Sequence, residues 1–127
     1  MIPIVIKQVT NYYKEVVHRI SSSIRKDVDW IVRYGGEEFL IVLPETGIKG
    51  DFVLAEKIRT RIYEQPFEIT NKKINISASF GVSCFEVEDP HTEISPEGLF
   101  KTADTYLFQA KSEGRNRVIG GSSFPHL

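Results

Sequence analysis

The chain has 127 residues, 41% hydrophobic and 26% charged, with a formal net charge of −1. That is the profile of one ordinary globular domain with room for a full core. It argues against a nucleic-acid surface, which needs a basic excess. No apolar run approaches a membrane span and no signal-peptide pattern opens the chain. The single cysteine, Cys84, sits in a strand-like run, reads as a small core residue and cannot close an internal disulfide. A reducing cytoplasm, without direct membrane contact, is the expected setting. His18, His91 and His126 lie far apart and lack metal-ligand spacing.

Taken in order, Ile2-Pro3-Ile4-Val5-Ile6 is a short β-branched run that predicts a strand. Pro3 suits an edge or the first residues of a strand. Val9, Tyr12, Tyr13, Val16, Val17, Ile20 and Ile24 recur at steps of three and four, which predicts an amphipathic helix over about 9–25. Residues 27–29 turn into Trp30-Ile31-Val32. That run and 39–43 flank a Gly-Gly pair, the pattern of a β-hairpin. Glu45-Thr46-Gly47 signals a turn. Phe52, Ala55, Ile58 and Ile62 then mark a second helix, closed by Pro66. Asn71-Lys72-Lys73 reads as a turn between short strands. From Ile74 to Ser83 apolar residues alternate with small polar ones, so one face is apolar and the other is small and polar. An acidic, solvated loop over 86–93 precedes Ser95-Pro96-Glu97, an N-cap with proline at the first helical position. Leu99, Ala103, Tyr106, Leu107 and Ala110 form the stripe of a third helix, with Gly114 as its C-cap. A last strand over about 116–119 follows, and 120–127 read as a flexible tail. Strands and helices interleaved in this way predict an α+β sandwich, with helices on one or both faces of a mixed or antiparallel sheet.

The chemistry concentrates at the hairpin. Gly35 and Gly36 take positive φ easily and leave the turn bare, so a ligand can approach its backbone N–H groups. Glu37 and Glu38 follow at once and, as neighbours in a strand, face opposite ways. A bare turn beside an acid at the end of a buried strand suits a divalent cation holding a polyphosphate. Spacing alone favours a solvated hairpin whose glutamates only keep it wet, since Gly-Gly hairpins are common.

The spelling narrows this. Arg33-Tyr34-Gly35-Gly36-Glu37-Glu38-Phe39, followed by an aliphatic run and Pro44, resembles the signature of the GGDEF family, the diguanylate cyclases, in its GGEEF form. Residues 77–83, Ser-Ala-Ser-Phe-Gly-Val-Ser, are similar to a later strand of that family. Residues 103–111 with Gly114-Arg115-Asn116 are similar to its closing helix. The resemblance runs over residues 13–119 and implies a ferredoxin-like βαββαβ sandwich with additions, making 1–119 one truncated GGDEF domain. It implies condensation of two GTP into cyclic di-GMP with release of pyrophosphate, by two domains facing one another in a homodimer. It further implies that Glu37 and Glu38 bind Mg²⁺ or Mn²⁺ and carry the catalysis, with Gly35 and Gly36 passing beneath the nucleotide. Lys111 and Arg115 correspond to the family's phosphate-binding pair; read without the family, they are a basic helix end favoured by the helix dipole.

Two departures stand out. The family's product-inhibition site, an Arg-x-x-Asp with a helper arginine on the next helix, is here Lys26, Asp29 and Lys57. Lysine lacks the planar fork of arginine, so feedback binding is expected to be weak, and a helix-end charge pair is the simpler role for Lys26 and Asp29. The family's upstream strand supplies a metal-binding aspartate and a phosphate-binding lysine, and the residues after it supply a guanine-binding asparagine. Lys7-Gln8-Val9-Thr10-Asn11 offers no carboxylate. The expectation is an N-terminally truncated domain in which the 2–6 run fills the missing strand's slot. Such a chain would be a feeble or inactive cyclase alone, or a degenerate module used for nucleotide binding, dimerisation or docking.

Overall fold

The β-branched run at the front of the chain forms the middle of the sheet. β1 (Pro3–Lys7) pairs antiparallel with β3 (Glu38–Val42) on one side and with β6 (Ser79–Phe85) on the other. Pro3 is tolerated there because it is the strand's first residue. β2 (Trp30–Arg33) pairs with β3, and β7 (Val118–Ser123) runs parallel to β6, giving the order β2-β3-β1-β6-β7. Its first four strands have the ferredoxin-like order. The computed structural model describes residues 3–7, 13–33, 38–85 and 96–123. The 2–6 run thus takes the central slot expected of it over 3–6, and Ile2 lies outside the described residues.

Helices cover both faces. α1 (Tyr13–Ser21) and α2 (Ile48–Glu64) share one core with alternate residues of β3 and β6, Phe39, Ile41, Phe80, Val82 and Cys84, and with Leu43 just past β3. The intervening residues look the other way. Leu40 packs against Ala103 and Leu107 of α3 (Pro96–Ser112), as does Phe100 of that helix. The small polar face read from 75–83 is therefore a helix seat. A Cβ on Gly81 would lie 2.0 Å from the Ala103 carbonyl oxygen, and Ser83 Oγ donates to the Leu99 carbonyl at 2.7 Å. α3 covers β6, β1 and β7 but not β2. On the edge strand β2, Trp30 and Val32 remain exposed, opposite Val42 and Leu40 in register.

Arg19 locks α1 to α2. Only 6% exposed, it donates to the carbonyls of Arg61, Ile62, Gln65 and Pro66, and stacks 3.9 Å above the Phe67 ring. Those carbonyls belong to the end of α2 and the residues just after it, which a helix cannot satisfy internally.

Four boundaries differ from the sequence reading. α1 stops at Ser21 rather than near 25, because Ser22 and Ser23 turn their hydroxyls back onto the Arg19 carbonyl and Asp27 takes φ 64. The turn between β4 (Phe67–Ile69) and β5 (Lys72–Ile74) is Thr70-Asn71, both at positive φ, so Lys72 and Lys73 are strand residues. Residues 75–78 keep the alternation but pair with no strand, since the ladder of β6 begins at Ser79. Finally, residues 120–123 belong to β7: backbone pairing along β6 overrides the poor strand propensity of Gly-Gly-Ser-Ser. Only 124–127 of the expected tail lie outside the description.

Candidate functional site

One end of the sheet gathers three of the residues singled out in the sequence, Glu38, Lys111 and Arg115. Glu38 opens β3 there and shares the α3 face with Leu40. The register sets Lys7 between Glu38 and Ser79, so three strands arrive together at this edge. α3 delivers Lys111 in its last turn. Its Nζ lies 3.9 Å from Glu38 Oε1, with the two side chains 18% and 27% exposed. A partly exposed pair at this distance contributes little to stability. Gly35, Gly36 and Glu37 lie outside the described residues.

The loop after α3 closes the same end. The Arg115 amide donates to the Ala110 carbonyl at 2.9 Å, a six-to-one closure, with Gly114 at φ 121 in the C-cap place read from sequence. Arg115 is exposed, and its guanidinium meets no partner among the described residues. An ammonium and a guanidinium four residues apart can share one polyanion.

Lys26 and Asp29 sit at the opposite end, where β2 begins. Arg25, not Lys26, holds Asp29. Its Nη2 donates to Oδ1 at 2.7 Å, its Nε to both carboxylate oxygens at 3.1 Å, and its backbone N to Oδ2 at 2.7 Å. The same Nη2 reaches the Pro44 carbonyl at 2.7 Å and Thr46 Oγ1 at 3.1 Å, clasping the exit of β3. A helix continuing to 25, as the sequence pattern predicted, would have carried Arg25 on its surface. Because α1 has already ended, the guanidinium is free to curl back. Burial pushes the Asp29 carboxyl up, but the Arg25 hydrogen bonds outweigh it and hold the group below its usual value. Lys26 and Lys57 are exposed, and all hydrogen bonds to Asp29 among the described residues come from Arg25.

Asp51, in the first turn of α2, went unnoticed. It is fully buried, and neither carboxylate oxygen has a hydrogen-bond partner among the described residues. Burial, with the Asp29 charge adding to it, raises its pKa to about 7. The signal was there: Asp51, Ala55, Ile58 and Ile62 form the buried stripe, whereas Phe52 is only half-buried. Arg59 and Asn116 were missed as well. They bond at 2.8 Å across 57 positions of sequence, a separation no local pattern reveals.

Among the described residues no group of three or more His, Cys, Asp or Glu could hold a metal by itself. Glu38 still fits a divalent cation of the magnesium type, which is held by one or two carboxylates together with water and substrate phosphates. No helix among the described residues is long and apolar enough to cross a membrane.

Comparison with known proteins converges on one family. The profile described as "Diguanylate cyclase, GGDEF domain" matches residues 9–117. Response regulator PleD of Caulobacter vibrioides is 37% identical over 109 residues, covering 84% of this chain and 23% of that protein. Diguanylate cyclase A of Treponema denticola is 36% identical over 104 residues, covering 82% and 27%. The chain thus spans 23–27% of the length of these relatives. Among solved structures, the active GGEEF domain of a diguanylate cyclase from Vibrio cholerae superposes with a TM-score of 0.76 at 29% identity, covering 94% of this chain and 81% of that one. β1, in the middle of the sheet, precedes the matched residues, and β7, at its edge, follows them.

Proposed function

Since the chain belongs to the GGDEF family of diguanylate cyclase domains, we propose that the Glu38–Lys111 end of its sheet is a half-site for GTP, used to make cyclic di-GMP. In that reaction the 3′-hydroxyl of each GTP attacks the α-phosphate of the other. Two phosphodiester bonds form, two pyrophosphates leave, and each hydroxyl gives up its proton. Negative charge on the nucleotide, the alkoxide and the leaving group is the obstacle, so positioning and charge stabilisation carry most of the catalysis.

The observation that carries this reading is a carboxylate and an ammonium 3.9 Å apart at the edge where the start of β3, the end of β1 and the end of α3 meet. Glu38, with Glu37, would hold Mg²⁺ or Mn²⁺, which would supply positive charge to offset the negative charge of the phosphates and the developing alkoxide. Lys111 leaves Glu38 for the phosphates when nucleotide and cation arrive together. Arg115 grips the same polyphosphate, and Gly35-Gly36 let the nucleotide lie against the turn. Glu37 takes the hydroxyl proton. Two chains face each other as a homodimer, since each half-site brings one of the two nucleotides. The exposed Trp30 and Val32, on the face that carries Glu38, supply apolar surface for such a contact. Lys26, Asp29 and Lys57 form only a vestige of the product-inhibition site, because the Asp29 carboxylate is already engaged by Arg25.

A second reading is favoured by one observation. The central strand, Pro-Ile-Val-Ile-Lys, brings no acid to the site, so the cation rests on the two glutamates alone. Turnover is then feeble, and the chain serves as a nucleotide-binding or docking module. Incubation with GTP and Mg²⁺, followed by chromatography for cyclic di-GMP beside a Glu38→Ala control, separates the two. Product that vanishes in the variant supports the cyclase. Saturable GTP binding without product supports the module, and neither product nor binding overturns both.

A further inference from the structure

Three consecutive residues after α3 have left-handed backbone: Gly114 at φ 121, Arg115 at φ 63 and Asn116 at φ 45. Glycine accepts this freely and asparagine often does, but for arginine it costs about 1 kcal/mol or more. Strain of that kind persists only where the surroundings over-determine it. Here they do. The Arg115 amide is tied to Ala110, and its carbonyl accepts from Arg117 Nε at 3.0 Å. The next amide, that of Asn116, donates to Ser79 Oγ at 3.2 Å, and Ser79 is buried at the start of β6. Asn116 Oδ1 accepts from Arg59 Nη1 at 2.8 Å, while Glu56 holds the other arms of the Arg59 guanidinium. The Phe80 amide donates to the Arg117 carbonyl at 2.9 Å and stitches the loop to the sheet. What this scaffold presents is a single exposed guanidinium with no partner of its own among the described residues.

We propose that Asn116 is a positioning residue: pinned by Arg59 of α2 and Ser79 of β6, it fixes the strained backbone that aims Arg115 at the nucleotide phosphates. The proposal rests on the reading of Arg115 as a phosphate-binding residue of the half-site. A fixed root lowers the entropy lost when a long side chain closes on a ligand. A loop that merely turned the chain would have no reason to keep an L-residue with a long free side chain at φ 63.

The test uses the full chain with Mg²⁺ and GTP, read by calorimetry. Asn116→Gly keeps the backbone conformation but removes the acceptor for Arg59, and is expected to weaken binding about tenfold. Asn116→Asp keeps an acceptor and tolerates the same φ, and is expected to bind within about twofold of wild type. In an Arg115→Ala background, Asn116→Gly should add nothing, because the two residues act in series. Wild-type affinity in Asn116→Gly, or an equal loss in both backgrounds, overturns the proposal. A readout independent of nucleotide is amide hydrogen exchange at 115–117, expected to quicken about tenfold in Asn116→Gly; unchanged exchange also overturns it. Failure of the wild-type chain to bind GTP would sink the half-site reading instead, and amide exchange would then decide whether the pin exists.

Discussion

The two ends of the sheet use charge in opposite ways. At the β2 entrance, Arg25 spends its donors on Asp29, Pro44 and Thr46, and Asp51 lies sealed behind them. At the other end, Glu38 and Lys111 stand 3.9 Å apart and partly exposed, and the Arg115 guanidinium is unengaged among the described residues. Charges at the first end close the fold on itself; those at the second are held closer to solvent. Similar residue types therefore carry different work according to how fully the scaffold has satisfied them. Changes at the closed end should move stability and leave GTP alone, and changes at the open end should do the reverse.

The largest expected effect comes from Asp51. Its carboxyl holds a proton up to about pH 7 in the folded chain, against an ordinary value of 3.8. Between those values the folded state binds more protons than the unfolded state, so stability falls as pH rises through that window and levels off above it. At about 1.4 kcal/mol per unit, the loss is on the order of 4 kcal/mol. Asp51→Asn should flatten this slope, and Asp51→Ala should raise stability at pH 8 by roughly 2–4 kcal/mol. Urea unfolding at pH 5 and pH 8 reads both. A slope that survives either substitution would show that the titration belongs elsewhere.

Asp29→Ala is the next step down. It removes several hydrogen bonds to a buried carboxylate and should cost about 2 kcal/mol. Because that carboxyl is held below its usual value, its contribution is present above about pH 4 and lost on further acidification, so it does not mask the Asp51 window. GTP affinity should stay within about twofold of wild type. A tenfold loss of GTP binding in this variant would break the separation between the two ends.

How much of this could be read from the chain depends on the range of each interaction. The Gly-Gly hairpin, the α3 stripe and the Gly114 cap are written in neighbouring residues, and all but the turn 34–37 are found where the pattern put them. The slot of β1 was legible because a β-branched run with proline at its start fits few places in such a sheet. The Arg25 clasp was not, since it depends on where α1 stops, and serine hydroxyls rather than apolar periodicity decide that. Within the site, Glu38 and Lys111 could be named from the motif, but their approach is a product of packing α3 on β1 and β6.

At the open end, Lys111→Ala should weaken binding of Mg²⁺ and GTP about tenfold, or about 1.4 kcal/mol. Stability should change by no more than about 0.5 kcal/mol, as for other partly exposed ion pairs. Calorimetric titration with parallel urea unfolding measures both. A large stability loss with intact binding would move Lys111 to the structural side of the comparison.

The smallest effect is the most discriminating, because it asks whether the open end keeps strain for the sake of a ligand. Arg115→Ala and Arg115→Gly remove the same guanidinium and should weaken GTP binding equally. They differ in backbone: alanine keeps an L-residue at φ 63, whereas glycine relieves it. The glycine variant should be the more stable of the two by about 1 kcal/mol, the relief outweighing the greater freedom of its unfolded chain. Urea midpoints for the two variants give that difference directly. Equal stability would mean that the turn carries no strain, and that Arg115 is simply where the loop happens to leave it.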